Sequence, residues 1–238
     1  MPNTNVDNMI RHLRGYFNGA RMTESLRALS YMKSKHGDQK RKGGDVPYIV
    51  HPLGMACFAV ALGIRDDNMI ATFLLHDVCE DCGVYVDDLP FNSAIKHGVK
   101  LMTIRAFPNE DKYVTKTRYY NELLDDQIAI LCKASDRYSN LTSMVGVLSD
   151  TAIVKNVVET HCLLLPMLKE AKERWPEIAD YLHVYRTIIA DQISTIAYFY
   201  GIELNDDNTA SPSIEEVLSP DFTWTRDIAQ TTSTDTGS

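Results

Sequence analysis

Residues 76–82, His-Asp-Val-Cys-Glu-Asp-Cys, gather ionisable side chains at the end of an apolar run, Met69-Ile70-Ala71-Thr72-Phe73-Leu74-Leu75. Burying such groups without partners costs several kcal/mol, so they call for an ion-pair network or a metal. An isolated His-Asp pair is ordinarily a hydrogen-bonded structural feature. Two further candidate ligands change that balance: His51, which opens the preceding helical segment, and Asp136, within Lys133-Ala134-Ser135-Asp136-Arg137. The imidazoles of His51 and His76 and the carboxylates of Asp77 and Asp136 make a nitrogen–oxygen donor set for a first-row divalent ion. Manganese, iron, cobalt and zinc all remain open on chemistry alone. Such an ion lowers the pKa of water and polarises phosphorus–oxygen bonds. Read as one helix, the segment stacks Glu80 over His76 and Asp81 over Asp77, which places two carboxylates to take a proton from attacking water.

A phosphate substrate also needs local positive charge, because the chain as a whole carries a net charge of −8. Lys40-Arg41-Lys42 supplies it, preceded by Lys33, Lys35 and His36. The cluster stands shortly before His51, and Gly43-Gly44-Asp45 puts it on a loop. The acidic balance argues against binding to nucleic acid or anionic membranes.

The elements that must position these residues read as helices. Apolar spacing predicts a short helix around Met9–Tyr16, one from Thr23 to His36 with Thr23 as its cap, and one from His51 to Gly63 with Pro52 in its first turn. The central apolar helix, capped by Asp66 or Asp67, runs into the His-Asp motif. Further helices are expected near Ser93–Ile104, Thr115–Leu124, Asp126–Met144, Thr151–Glu173 with a kink at Pro166, and Ile178–Tyr200 before Gly201. No strand ladder or repeat stands out, so the fold class is all-α. The expected organisation is an N-terminal extension over 1–20, a helical domain over 21–203, and a polar, weakly ordered tail over 204–238.

At 238 residues and 45% apolar composition the chain is long enough for one sizeable core. It shows neither a secretory leader nor a membrane-length apolar run. Five cysteines, several in apolar helical segments, fit reduced thiols and a cytoplasmic location. Cys79 and Cys82 have C-x-x-C spacing, but no second cysteine pair completes a zinc site, so they read as packed thiols.

The ordered pattern His51…His76-Asp77…Asp136 resembles the HD-domain metal-dependent phosphohydrolases. Within them, the chain resembles the hydrolase domain of the RelA/SpoT alarmone enzymes. His36-Gly37-Asp38-Gln39-Lys40-Arg41-Lys42-Gly43, Pro47-Tyr48-Ile49-Val50-His51-Pro52, His76-Asp77-Val78-Cys79-Glu80-Asp81 and Lys133-Ala134-Ser135-Asp136-Arg137-Tyr138-Ser139-Asn140 carry the likeness over about residues 22–170. The resemblance implies an HD helical bundle and hydrolysis of guanosine tetra- or pentaphosphate, (p)ppGpp, at the 3′ position, with release of pyrophosphate and manganese as the usual ion. By the same resemblance His51, His76, Asp77 and Asp136 hold the metal, and Glu80 and Asp81 activate or position the water. Arg41 and Lys42 face phosphates or the base. Asn140 and Ser143 meet the nucleoside, with Ser143 replacing a threonine. Leu164 stands where the family carries a tyrosine, which leaves base preference open. The length leaves no room for synthetase or regulatory domains, as in a stand-alone small alarmone hydrolase. Two other functions remain: an HD phosphatase for another nucleotide, such as NADPH 2′-phosphate, and an alarmone-binding module without turnover.

Overall fold

The computed structural model describes residues 6–225. Helices dominate it: α1 (Val6–Ala20), α2 (Thr23–His36), α3 (Val50–Ala61), α4 (Asp67–Leu75), α5 (Val78–Asp81), α6 (Ser93–Met102), α7 (Lys112–Leu124), α8 (Gln127–Met144), α9 (Asp150–Glu159), α10 (Leu165–Arg174), α11 (Ala179–Tyr200) and α12 (Ile214–Leu218). The all-α reading of the sequence holds.

Two helices form the middle. Every residue from Met69 to Leu75 of α4 is buried, and the one polar member, Thr72, donates its hydroxyl to the Asn68 carbonyl at 2.9 Å. Beside it, α8 buries Ile128–Cys132 and Ala134–Arg137, so its one charged turn enters the core. Helices α2, α3 and α6 pack against α4, while α3, α6, α7, α10 and α11 surround α8. No helix among the described residues is long and apolar enough to cross a membrane.

Several ends are fixed by side chains. Asp126 accepts from the amides of Ile128 and Ala129 and caps α8, and Asp66 caps α4 through the Met69 amide. Thr23, the expected cap of α2, lies inside that helix. The cap comes from Asp67 of α4 instead, whose carboxylate accepts from the amides of Glu24 (2.9 Å) and Ser25 (2.7 Å).

The sequence-based boundaries shift at three places. The first helix extends over Val6–Ala20 and buries Ile10, Leu13 and Phe17, so the N-terminal segment belongs to the core. The helix expected over Thr151–Glu173 is α9 and α10 joined by a π-helical turn, Thr160–Leu164, just before Pro166. Proline has no N–H to give to the turn before it, and the wider turn absorbs that missing bond. From 204 the chain forms a two-strand hairpin, Glu203–Leu204 with Ala210–Ser211, and then α12, which packs on α9 and α7. Burial of Ile214, Val217 and Leu218 gives this segment the order that its polar composition hides. Residues 226–238 of the expected tail, and 1–5 of the expected extension, lie outside the described residues.

Candidate active site

The helix carrying the motif is not continuous. It ends at Leu75, turns through His76 and Asp77, and resumes as the single turn Val78–Asp81. The His76 ring Nδ1 lies 2.9 Å from the Phe73 carbonyl. That carbonyl is the group an unbroken helix offers to the Asp77 amide. The side chain competes for it, and the expected stacking of Glu80 on His76 along one helix face gives way to two short helices meeting at the motif. The Asp81 amide still bonds to the Asp77 carbonyl at 2.9 Å, so the second turn keeps its register from Asp77 onward.

At this break the candidate ligands converge. His51 Nε2 and His76 Nε2 are 3.3 Å apart. His76 Nε2 is 2.8 Å from Asp77 Oδ2 and 3.8 Å from Asp136 Oδ1, while His51 Nε2 is 3.3 Å from Asp136 Oδ1 and 3.9 Å from Asp77 Oδ2. Ligands that each sit about 2.0–2.2 Å from one ion are separated from each other by similar spans, so the donor set fits a divalent cation. Ligand atoms of His51, His76 and Asp77 all lie within 4.8 Å of one another, and Asp136 joins them through the two imidazoles.

The surrounding groups fix the donors. Because the Phe73 carbonyl can only accept, His76 donates from Nδ1 and turns Nε2 toward the cluster. His51 Nδ1 lies 2.8 Å from Ser139 Oγ. Asp77 Oδ2 accepts from the Tyr48 hydroxyl. Asp136 is held on both oxygens, by Asn140 Nδ2 at 2.6 Å and by Lys133 Nζ at 3.0 Å. Sequence reasoning did not place Tyr48, Ser139 or Lys133 in the site. Ser139 and Lys133 were legible in principle, each three residues from Asp136 on one helix.

Burial pulls the His51 imidazole below its ordinary pKa. His76 suffers the same desolvation, but Asp77 and Asp136 outweigh it and lift its pKa to about 9. Burial would also raise both carboxyls. His76 nevertheless brings Asp77 down to about 2, and Lys133 with the imidazoles holds Asp136 well below the usual range. Ionised Asp77 and Asp136 are thus balanced by a protonated His76 and by Lys133, and a bound cation would take over the charge that His76 supplies through its proton.

Two cavities meet at this cluster. The smaller, about 360 Å³, is polar and is lined by His51, Asp77, Asp136, Glu80, Asp81 and the ammonium-bearing Lys116 and Lys133. Glu80 accepts from the Ile104 amide at 3.0 Å, and partial burial pushes its carboxyl above the ordinary value. The larger cavity, about 1290 Å³, is mainly apolar and contains Lys42 and Ser143. Arg41, Asn140 and Asp81 line both. Arg41 Nη2 donates to Asn140 Oδ1 at 3.0 Å, which ties the basic loop to α8. Gly43 closes that loop against the segment after α8. Its φ is +85°, and a Cβ there would stand 2.6 Å from Val147 Cγ1. Leu164 is fully buried and lines neither cavity.

No family model matches the chain. Among curated proteins it is 34% identical over 128 residues to a guanosine-3′,5′-bis(diphosphate) 3′-pyrophosphohydrolase of Aquifex aeolicus, which covers 51% of this chain and 18% of that protein. A probable enzyme of the same name from Mycoplasma pneumoniae is 26% identical over 211 residues, 83% of this chain and 27% of its own length. The chain is thus similar to part of these guanosine-3′,5′-bis(diphosphate) 3′-pyrophosphohydrolases. A relative from Brucella ovis, 29% identical over 166 residues and matched over 22% of its length, is named GTP pyrophosphokinase. The chain therefore spans between 18% and 27% of these relatives.

Proposed function

We propose that this chain is a metal-dependent hydrolase that removes the 3′-pyrophosphate from guanosine tetra- and pentaphosphate. The observation that carries the reading is the His51–His76–Asp77–Asp136 cluster at the junction of a polar and an apolar cavity. The relatives' names include both pyrophosphohydrolase and pyrophosphokinase. A buried His/Asp donor set beside two carboxylates favours the hydrolytic direction, since activating water needs a cation and a base.

His51, His76, Asp77 and Asp136 would hold a divalent ion, manganese in our reading, which supplies Lewis-acid stabilisation of charge on the phosphoryl oxygens. The remaining work falls to the chain's own groups. Arg41 and Lys42 bind phosphate oxygens at the entrance shared with the apolar cavity. Asn140 and Ser143 meet the nucleoside. Water attacks the phosphorus bound to the 3′ oxygen, and its proton passes to Glu80, with Asp81 orienting the water or sharing that role. The 3′-O–P bond breaks, and the proton held by Glu80 is returned to the departing oxygen, leaving a 3′ hydroxyl and pyrophosphate. Lys116 and Lys133, which line the polar cavity and are paired with Glu159 and Asp136, are the ammonium groups within reach of a departing pyrophosphate. All five cysteines are free thiols, which supports action in a reducing compartment such as the cytoplasm.

The test is a manganese-supplemented assay on guanosine tetraphosphate with identification of the released species. Pyrophosphate is expected. Release of orthophosphate instead would assign the site to a phosphatase, and binding without turnover would assign it to an alarmone-binding module.

A further inference from the structure

The larger cavity is lined mainly by apolar side chains, Met55, Phe58, Tyr138 and Val147 among them. Polar side chains interrupt that wall, and they decide how a ligand is oriented. One of them, Asn156, comes from α9 and has no part in the mechanism above.

Its amide is held at both ends. Oδ1 accepts from Arg137 Nη1 at 2.7 Å, and Nδ2 donates to the Ala152 carbonyl at 2.8 Å. A guanidinium can only donate and a carbonyl can only accept, so these two contacts fix which end of the amide is nitrogen. Arg137 is in turn buried. Its Nη2 donates to Glu159 Oε1 at 2.8 Å and to the Tyr120 hydroxyl at 3.2 Å, and its Nη1 also reaches the Asn156 carbonyl at 3.3 Å. Asn156 is therefore fixed in place by a buried ion pair before any ligand arrives. Its Nδ2 carries two hydrogens, and the Ala152 carbonyl takes one.

We propose that Asn156 is a specificity-determining residue at the nucleoside end of the site, offering its second Nδ2 hydrogen to an acceptor on the edge of the nucleobase. The inference rests on the proposed nucleotide hydrolase reading, which puts the nucleoside in the larger cavity. Guanine presents such acceptors at O6 and N7. A donor fixed in advance discriminates more sharply than a free rotor, because a base that cannot accept leaves it unpaired against an apolar wall.

Asn156→Asp tests this, since aspartate keeps the shape and the acceptor for Arg137 but has no N–H. Asn156→Ala, which withdraws the side chain, is the second variant. Affinity for guanosine 5′-diphosphate and for inorganic pyrophosphate is measured by calorimetry on the manganese-supplemented protein, alongside KM and kcat on guanosine tetraphosphate. The expected result in both variants is a rise of about 10-fold in Kd for the diphosphate and in KM, the loss of one good hydrogen bond, with kcat and pyrophosphate affinity unchanged. Unchanged diphosphate affinity overturns the assignment. So does an equal loss for pyrophosphate, which carries no base and would report a merely structural role. Diphosphate binding that depends on Asn156 in a protein releasing no pyrophosphate from the tetraphosphate would sink the hydrolase reading and leave this assignment standing. Normal turnover by an insensitive Asn156→Asp variant would do the reverse.

Discussion

His51 and His76 turn their Nε2 atoms toward each other at 3.3 Å in the interior of the fold, with Asp136 Oδ1 and Asp77 Oδ2 completing the group. The four residues come from α3, the break after α4, and α8, so one ion would cross-link three parts of the core. Without it, two ionised carboxylates are left close to each other. Exhaustive chelation is expected to lower the melting temperature and abolish turnover, and manganese to restore both. Full activity in the chelated protein, with metal content checked by elemental analysis, would rule out the metal reading.

Arg41 reaches this centre through Asn140, which donates to Asp136. If Arg41 binds phosphate as proposed, Arg41→Ala is expected to raise KM by about 10- to 100-fold, the range for a hydrogen bond to a charged group. Lys42→Ala, at an exposed position, should cost less. Metal stoichiometry should stay intact in both. If Arg41→Ala instead loses the metal, the Arg41–Asn140 contact serves the ligands and not the substrate.

Glu80→Gln tests the proposed proton acceptor. The amide oxygen can still accept from the Ile104 amide, so the loop after α6 keeps its anchor. Loss of a general base typically costs about 10²- to 10⁴-fold, and kcat is expected to fall by that order with nucleotide affinity preserved. Asp81→Asn should act similarly if it shares the water, and the double variant should then lose less than the product of the two effects. Near-normal turnover in Glu80→Gln would hand the role to Asp81.

Glu159 contributes to the acid sensitivity of the fold. Burial would raise its carboxyl, but Arg137 and Lys116 bring it down to about 2 from an ordinary 4.5. A carboxylate whose pKa is lower folded than unfolded stabilises the protein above its unfolded value, and that contribution is lost as pH falls from 4.5 toward 2. Urea midpoints should therefore drop steeply across this window. In Glu159→Gln the drop should be shallower and the neutral-pH stability lower by about 3–5 kcal/mol, the usual cost of stripping one partner from a buried pair. Parallel curves for the two proteins would assign the acid sensitivity elsewhere.

Much of the architecture was legible because helical periodicity survives wherever one face is buried. The apolar stretch of α4, its cap at Asp66 and the stop at Gly201 all follow from local chemistry. What escaped was non-local. Spacing alone makes His76–Asp81 one helix, but it ignores that an imidazole can take the Phe73 carbonyl from the backbone. Residues 204–225 look unstructured because their few apolar side chains, Ile214, Val217 and Leu218, find their partners on helices far earlier in the chain. The candidate ligands could be picked out by residue type and Ser139 and Lys133 by their spacing from Asp136, but not the groups that reach the site from elsewhere in the chain. Nothing in the local sequence announces that Tyr48 reaches Asp77 or that Asn156 is gripped by Arg137.

The cap that Asp67 supplies to α2 sets an order of assembly. The first amides of α2 have their acceptor only 42 and 43 residues later in the chain, so that helix cannot finish its opening turn until α4 has docked. During synthesis the helix leading to the basic loop would stay frayed until the half of the core carrying the His-Asp motif emerges. The two halves of the candidate site would then consolidate together. In refolding followed by hydrogen exchange, the Glu24 and Ser25 amides should gain protection in step with α4 and behind the rest of α2. Protection of those amides before α4 forms would show that the opening turn stands without its distant partner.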